Sequence, residues 1–300
     1  MKKNNFIFSI IIFCGLISTQ AFIANAVSAG SNSNNWAVEV VEYLPGNNAA
    51  FSYTNANTAI GPAAQYTFAD EEMTNVASVT VINPPWQNNQ IVSIGNGGKL
   101  IVRMGRQVNN YDDPEHPYGV DLLVFGNTLF AYVDDEGLSQ TNPWYATSEE
   151  PIEIWVSADL INWFMATNCF ADSLMPTQSV DLNGNPADYL YPPNPALLTN
   201  DWISFAGTWS YSNTVQAYEG SAGGAPVDLS QLKTSDGQAT NLTFINYVKI
   251  ENPQTEDASE IDAVAAVAAL PEPFYSCPAG VSFIIYYFIF INRKSIHQSN

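Results

Sequence analysis

Apolar and polar positions alternate with a period of two through Pro151 to Phe164, PIEIWVSADLINWF, which is the pattern of a half-buried strand. Either Ile152, Ile154 and Val156 or the opposite set, Glu153 and Trp155, faces the interior. Ser157, Ala158 and Asp159 supply polar turn chemistry before the apolar run resumes at Ile161 to Phe164, so the segment reads as strand, turn, strand. Trp36 to Tyr43 alternates in the same way and stops at Pro45-Gly46-Asn47-Asn48. Ile91 to Ile94, the link Gly95-Asn96-Gly97-Gly98 and Lys99 to Met104 read as a hairpin, because glycines supply positive φ angles. Val120 to Phe125 is a continuous apolar run broken only by Asp121, as in a core strand of a sandwich, and Phe130 to Val133 follows it. Asn246 to Glu251 is another strand. Ile261 to Ala269 is alanine-rich enough for a helix, but its length and position favour a closing strand.

Between Asn168 and Thr240 the pattern gives way to Pro, Asn, Gly and aromatic residues, which predicts long loops elaborating the domain. Short strands between turn signals, without an internal repeat or a second composition regime, predict an all-β fold. The expected architecture is one antiparallel β-sandwich domain spanning 36–269, with long loops.

The two ends read differently. Lys2 and Lys3, an apolar run from Phe6 to Ile17 and the small-x-small site Ala24-Asn25-Ala26 mark 1–26 as a secretory signal peptide, a helix removed on export. An exposed lead-in over 27–35 follows. In the tail, 270–300, Pro271-Glu272-Pro273 precedes the apolar run Phe274 to Ile291 and then Arg293-Lys294. That run is close to the shortest helix that spans a bilayer, with its basic end cytoplasmic. An ordinary C-terminal anchor has these parts. Their order also resembles the PEP-CTERM sorting tail of bacterial surface proteins, which implies processing by an exosortase-type enzyme. Both readings place the bulk of the chain outside the membrane, anchored transiently or lastingly by the tail.

Charge narrows the partners. Nine Lys and Arg face 29 Asp and Glu, and Lys2, Lys3, Arg293 and Lys294 lie in the extreme ends. Only Lys99, Arg103, Arg106, Lys233 and Lys249 remain for the domain. This balance disfavours nucleic acid and anionic membranes, whose phosphates are neutralised by Lys and Arg. It is compatible with cations, with neutral glycans, or simply with solubility in a salty medium. Cys14 falls in the leader, and the placing of Cys169 and Cys277, far apart with Cys277 near the tail, does not suggest a disulfide framework, so Cys169 reads as a small buried hydrophobe.

The segments IEIWVSADLINWF, NYVKIEN and EIDAVAAV look like strands of galactose-binding-like, discoidin-type jelly rolls. The wider series WAVEVVEYLPG, TAIGP, VSIGNGGKLIV, GVDLLVFGN, IEIWVSADLINWF, FAG, AYEGSAGGAPVDLS and EIDAVAAV is similar to a family of secreted PEP-CTERM surface proteins of uncharacterised function. The resemblance implies a single jelly-roll domain at the cell surface or in the extracellular matrix. Two positions differ from it. An Asp-Gly-Pro-Gly turn is replaced by Asp112 to Gly119, and the acidic residue that follows the core-strand phenylalanine in that family is here Gly126.

Candidate chemistry divides into three. A nucleophile triad would have to use His116, and no GxSxG elbow accompanies it. Ca²⁺ takes six to eight oxygen ligands, and Asn110, Asp112, Asp113 and Glu115 crowd such groups into one loop beside Asp121. Jelly rolls of the kind this chain resembles often carry a structural Ca²⁺, so these five residues are the candidate metal ligands. Asp181-Leu182-Asn183-Gly184-Asn185 begins like an EF-hand loop, but Pro186 occupies the position of the turn glycine and Pro192 that of the bidentate glutamate. Tyr111, Tyr118, Trp144, Tyr145, Trp202 and Trp209 stand in Asn- and Asp-rich loop context and are the candidate glycan-stacking residues. Trp155 and Trp163 are expected in the core. The function expected is a non-catalytic module contacting extracellular polysaccharide or surface proteins. The alternatives are a carboxylate-based enzyme acting on polysaccharide and a purely structural coat component.

Overall fold

The computed structural model describes residues 33–132, 144–148, 150–167, 169–198, 210–253 and 257–269. The expected signal peptide, Trp202, Trp209 and the sorting tail with Pro271, Glu272 and Pro273 lie outside the described residues. Among the described residues no helix is long and apolar enough to cross a membrane.

The chain is mostly β. Its strands are β1 (Ala37–Leu44), β2 (Tyr66–Phe68), β3 (Val76–Ser78), β4 (Val92–Ile94), β5 (Lys99–Asn109), β6 (Leu122–Gly126), β7 (Leu129–Tyr132) and β8 (Trp144–Ser148). They continue with β9 (Glu153–Ser157), β10 (Phe164–Ala166), β11 (Ala225–Val227), β12 (Leu232–Lys233), β13 (Ala239–Thr240), β14 (Phe244–Glu251) and β15 (Ser259–Ala266). One sheet runs β1-β5-β14-β9-β10-β12-β13 and the other β11-β6-β15-β4, with every pairing antiparallel. Leu100, Val102, Ile154, Val156, Val248 and Ile250 of the larger sheet share one core with Val92, Ile94, Leu122, Val124, Ile261 and Val264 of the smaller. This is the two-layered arrangement of a β-sandwich.

The period-two segment of β9 forms as its pattern dictates, whereas β1 turns every third residue, Ala37, Val40 and Tyr43, toward the core because irregularities shift its register twice. Ile152, Ile154 and Val156 are buried, which fixes the register and turns Trp155 outward. β6 is apolar throughout because both of its faces are covered: Leu122 and Val124 meet the sandwich core. Leu123 and Phe125 enter a second cluster with Trp36, Tyr189 and the small Ala263 and Ala265 of β15. The Trp36, Phe125 and Tyr189 rings lie 5.6 to 6.3 Å apart, centroid to centroid.

Three expectations are corrected. Ile91 to Met104 is not a hairpin, since β4 pairs with β15 while β5 pairs with β1 and β14 in the opposite sheet. The glycine link is instead a corner pinned to two other loops: Gly95 N donates to Pro45 O at 2.7 Å and Gly97 N to Asn252 O at 2.8 Å. A Cβ on Gly95 would sit 2.0 Å from Asn47 O, so only glycine allows that approach. The strand expected from Ile161 starts only at Phe164, because the Asp159 carboxylate accepts the Ile161 and Asn162 amides and prolongs the turn. Trp155 and Trp163 are half-buried on the outer face, where Lys249 Nζ lies 4.6 and 5.5 Å from their ring centroids. The region after Asn168 also holds a short helix, α1 (Tyr211–Ala217), capped by Ser210 Oγ on Asn213 N at 3.3 Å.

Candidate functional site

Three carboxylates from distant parts of the chain meet at one end of the smaller sheet. Glu260 comes from the start of β15, Glu150 from the residues just before β9, and Asp172 from the turn after Ala171. One ligand oxygen of each lies within 4.8 Å of the others. Local bonds explain the convergence. Ala171 and Ile152 form a bridge, Glu150 N donates to Asp172 O at 3.1 Å, and Ser259 Oγ donates to Glu150 O.

Asp172 is the anchor. It is buried, in left-handed backbone at φ 51°, which Asp tolerates better than most residues. Its Oδ1 accepts from Asn127 N, Thr128 N and Thr128 Oγ1, each at 2.9 Å, and its Oδ2 accepts from Glu260 N at 3.0 Å. Gly126 makes this possible, because a Cβ there would lie 2.4 Å from Asp172 Oδ1.

Charge is crowded at this point. Burial raises Glu150 to about 7, helped by the negative charges of Asp172 and Asp257. Burial likewise raises Glu260 to about 7, with Glu150 adding to it. Asp172 is raised only to about 6 although fully buried, since its amide and hydroxyl donors favour the charged form. The ion pairs among the described residues, Lys99 with Glu42, Arg103 with Glu39 and Lys249 with Glu251, include none of the three, and neither does the hydrogen-bonded pair of His116 and Asp121.

Such a cluster either holds protons or holds a cation. Oxygens of one Ca²⁺ shell lie about 2.3–2.6 Å from the ion, hence up to roughly 5 Å from one another, which matches the spacing here. The sign of the pH effect follows from the raised values. Stability due to the bound protons is fully present below about pH 4 and is lost as pH rises through 6 to 7. Without divalent cation, the protein is therefore expected to melt at a lower temperature at pH 8 than at pH 5, as followed by circular dichroism. Ca²⁺ is expected to reverse the loss at pH 8 and to have little effect at pH 5, where it competes with protons.

The stretch of chain around Asp172 also borders a cavity of about 700 Å³. Cys169, Phe170, Ser173 and Leu174 line it, so the segment that carries Asp172 is also a cavity wall. Tyr118 and Asp228 face it from other loops. Tyr118 is held at φ 61°, a strained conformation for an aromatic residue, and its hydroxyl donates to Glu219 Oε2 at 3.2 Å. Cys169 is buried, with its thiol pushed up to about 12 by burial, which keeps it unreactive.

The residues singled out by sequence fall in several places. Asp112, Asp113 and Glu115 are exposed and do not gather around a common point, and the Asn110 amide donates to Leu242 O at 2.8 Å. Asp121 is fully buried and already engaged. Its Oδ1 accepts from Tyr111 N at 3.0 Å and pairs with His116 Nδ1 at 2.6 Å, and its Oδ2 accepts from Leu229 N at 3.0 Å. It is a brace between three segments, and its pairing leaves His116 Nε2 buried with no hydroxyl bonded to it. Tyr111 packs edge-on against His116 with centroids 4.9 Å apart, which gives it a structural role. Tyr118 lines the cavity. Trp144 and Tyr145 lie on β8, and their side chains are outside the described residues.

Sequence reasoning did not bring Glu150, Asp172 and Glu260 together. Their spacing carries no motif, and Gly126, which gives way to the Asp172 carboxylate, was the one local signal. An antiparallel sandwich and a half-buried acidic cluster are as far as fold and site define the class. Models of protein families give no match to this chain, and a search of curated proteins finds no relative.

Proposed function

We propose that the chain is an exported protein held at the cell surface or in the extracellular matrix, delivered with a PEP-CTERM-type tail that an exosortase processes. Its domain is a galactose-binding-like jelly roll that contacts polysaccharide or surface proteins without catalysis, and a structural Ca²⁺ sits among Glu150, Asp172 and Glu260. The observation that carries this reading is the shared segment: the residues flanking Asp172 form a wall of the cavity. Asp172 Oδ1 is occupied by two backbone amides and the Thr128 hydroxyl, while Oδ2 accepts one amide, that of Glu260, so Oδ2 with the Glu150 and Glu260 carboxylates would hold the cation and order a binding wall. Glycoside hydrolysis employs two carboxyl groups across a bond, whereas the described lining of the cavity contains one, Asp228.

The test is binding of the full-length protein to the producing cells' own extracellular polysaccharide, with Ca²⁺ and then with chelator, while reducing ends are followed in the same tubes. Saturable binding that weakens in chelator, without new reducing ends, is expected. Release of sugar would make the protein an enzyme, and neither binding nor release would leave a coat component.

A further inference from the structure

We infer that the cavity walled by Phe170, Tyr118, Asp228 and Gln231 is a saccharide site that takes an uncharged sugar residue. The inference rests on reading the chain as a binding module and specifies where that module binds and what it accepts. A volume of about 700 Å³ falls within the range of small-ligand pockets. The floor is apolar, built from Val120, Ala225 and Pro226.

At the rim, Phe170 is 48% exposed, a large aromatic surface left in water beside a concave site. Pyranose rings present C–H groups on one face and hydroxyls around the edge, so an aromatic wall with polar groups beside it matches both. The polar groups are set in place by one another. Asp228 Oδ1 accepts from Ser230 N at 2.7 Å and Ser230 Oγ at 2.6 Å, and Oδ2 accepts from Gln231 Nε2 at 2.7 Å. This leaves Oδ2 a second acceptor position, and the Gln231 amide its carbonyl and second N–H, for sugar hydroxyls.

Charge selects the class. No Lys, Arg or His is among the described residues that line the cavity, and Asp228 is a carboxylate. With a net charge of −20 on the chain, a uronic acid or sulfated sugar would meet repulsion and no counter-charge.

The full-length protein is titrated with the producing cells' extracellular polysaccharide, with methyl glycosides of neutral hexoses and with glucuronate, by calorimetry and saturation-transfer NMR. Phe170→Ala and Gln231→Ala are compared with wild type, both being exposed positions whose change leaves the fold intact. Expected are binding of at least one neutral glycoside and none of glucuronate, and affinity little changed by 0.5 M NaCl. Phe170→Ala is expected to weaken polysaccharide binding about tenfold and Gln231→Ala severalfold. Polysaccharide binding that both variants retain would overturn the cavity assignment while leaving the binding-module reading in place. Preference for glucuronate would overturn the uncharged class, and a wild type that binds none of the probes would overturn both readings.

Discussion

Asp172→Ala is expected to lower the thermal midpoint by about 10 °C and to abolish any response to Ca²⁺. The carboxylate is buried and accepts from three backbone amides and one hydroxyl, which tie the end of β6 to the start of β15. Removing it leaves those donors without an acceptor, at a cost of about 1–3 kcal/mol for each one that stays dry. Alanine also takes less readily than Asp to the left-handed backbone at φ 51°. A net loss of about 3–5 kcal/mol corresponds to roughly 10 °C for a domain of this size. Glu150→Gln separates the anchoring role from the ionic one. It removes a charge crowded by Asp172 and Asp257, so without cation at pH 8 it is expected to melt higher than wild type. With Ca²⁺ it is expected to melt lower, because a ligand is gone. Melting curves of both variants at pH 8, with and without Ca²⁺, check the pair of signs. An unaltered Ca²⁺ response in Glu150→Gln would rule out the cluster as the cation site.

Asp121→Ala is expected to be as damaging, and independently of any cation. Asp121 collects the Tyr111 amide, the His116 imidazole and the Leu229 amide, and both members of the Asp121 and His116 pair are fully buried. Removing the carboxylate leaves these three donors without an acceptor, at a cost of about 1–3 kcal/mol for each one that stays dry. Chemical denaturation should show a lower midpoint with an unchanged slope. A loss below about 1 kcal/mol would mean that water reaches the pair and that the brace is weaker than its geometry implies.

These two aspartates show where the sequence was legible and where it was not. Asp121 stood out as the one charge inside an apolar run, and that anomaly marked a real feature. The oxygen-rich loop before Asp121 suggests ion ligation, and sequence does not display the Tyr111, His116 and Leu229 contacts that make it a brace. Strands β6, β9, β14 and β15 were legible because burial of one or both faces writes itself into the residue pattern. The corner at Gly95 to Gly98 was not. A tight hairpin and a crossing between sheets both call for glycine, and only the distant partners Pro45, Asn47 and Asn252 distinguish them. Trp155 illustrates the same limit: its period-two position allowed either face, and hydrophobicity favoured the wrong one. The cluster of Glu150, Asp172 and Glu260 was hidden for a plainer reason. Its members lie in three separate segments, brought together by the pairing of Ile152 with Ala171 and by the antiparallel return of β15.

The most direct test of the account is calorimetric titration of the full-length protein with Ca²⁺ at pH 7, in two buffers of different ionisation enthalpy. With Glu150 and Glu260 raised to about 7, a cation entering the cluster displaces protons that the buffer must take up. The account predicts binding of one Ca²⁺ per chain, with net proton release that disappears together with the binding in Glu150→Gln. Absence of binding at millimolar Ca²⁺, or binding without proton release that Glu150→Gln leaves intact, would contradict it and make the three carboxylates a proton-sharing brace.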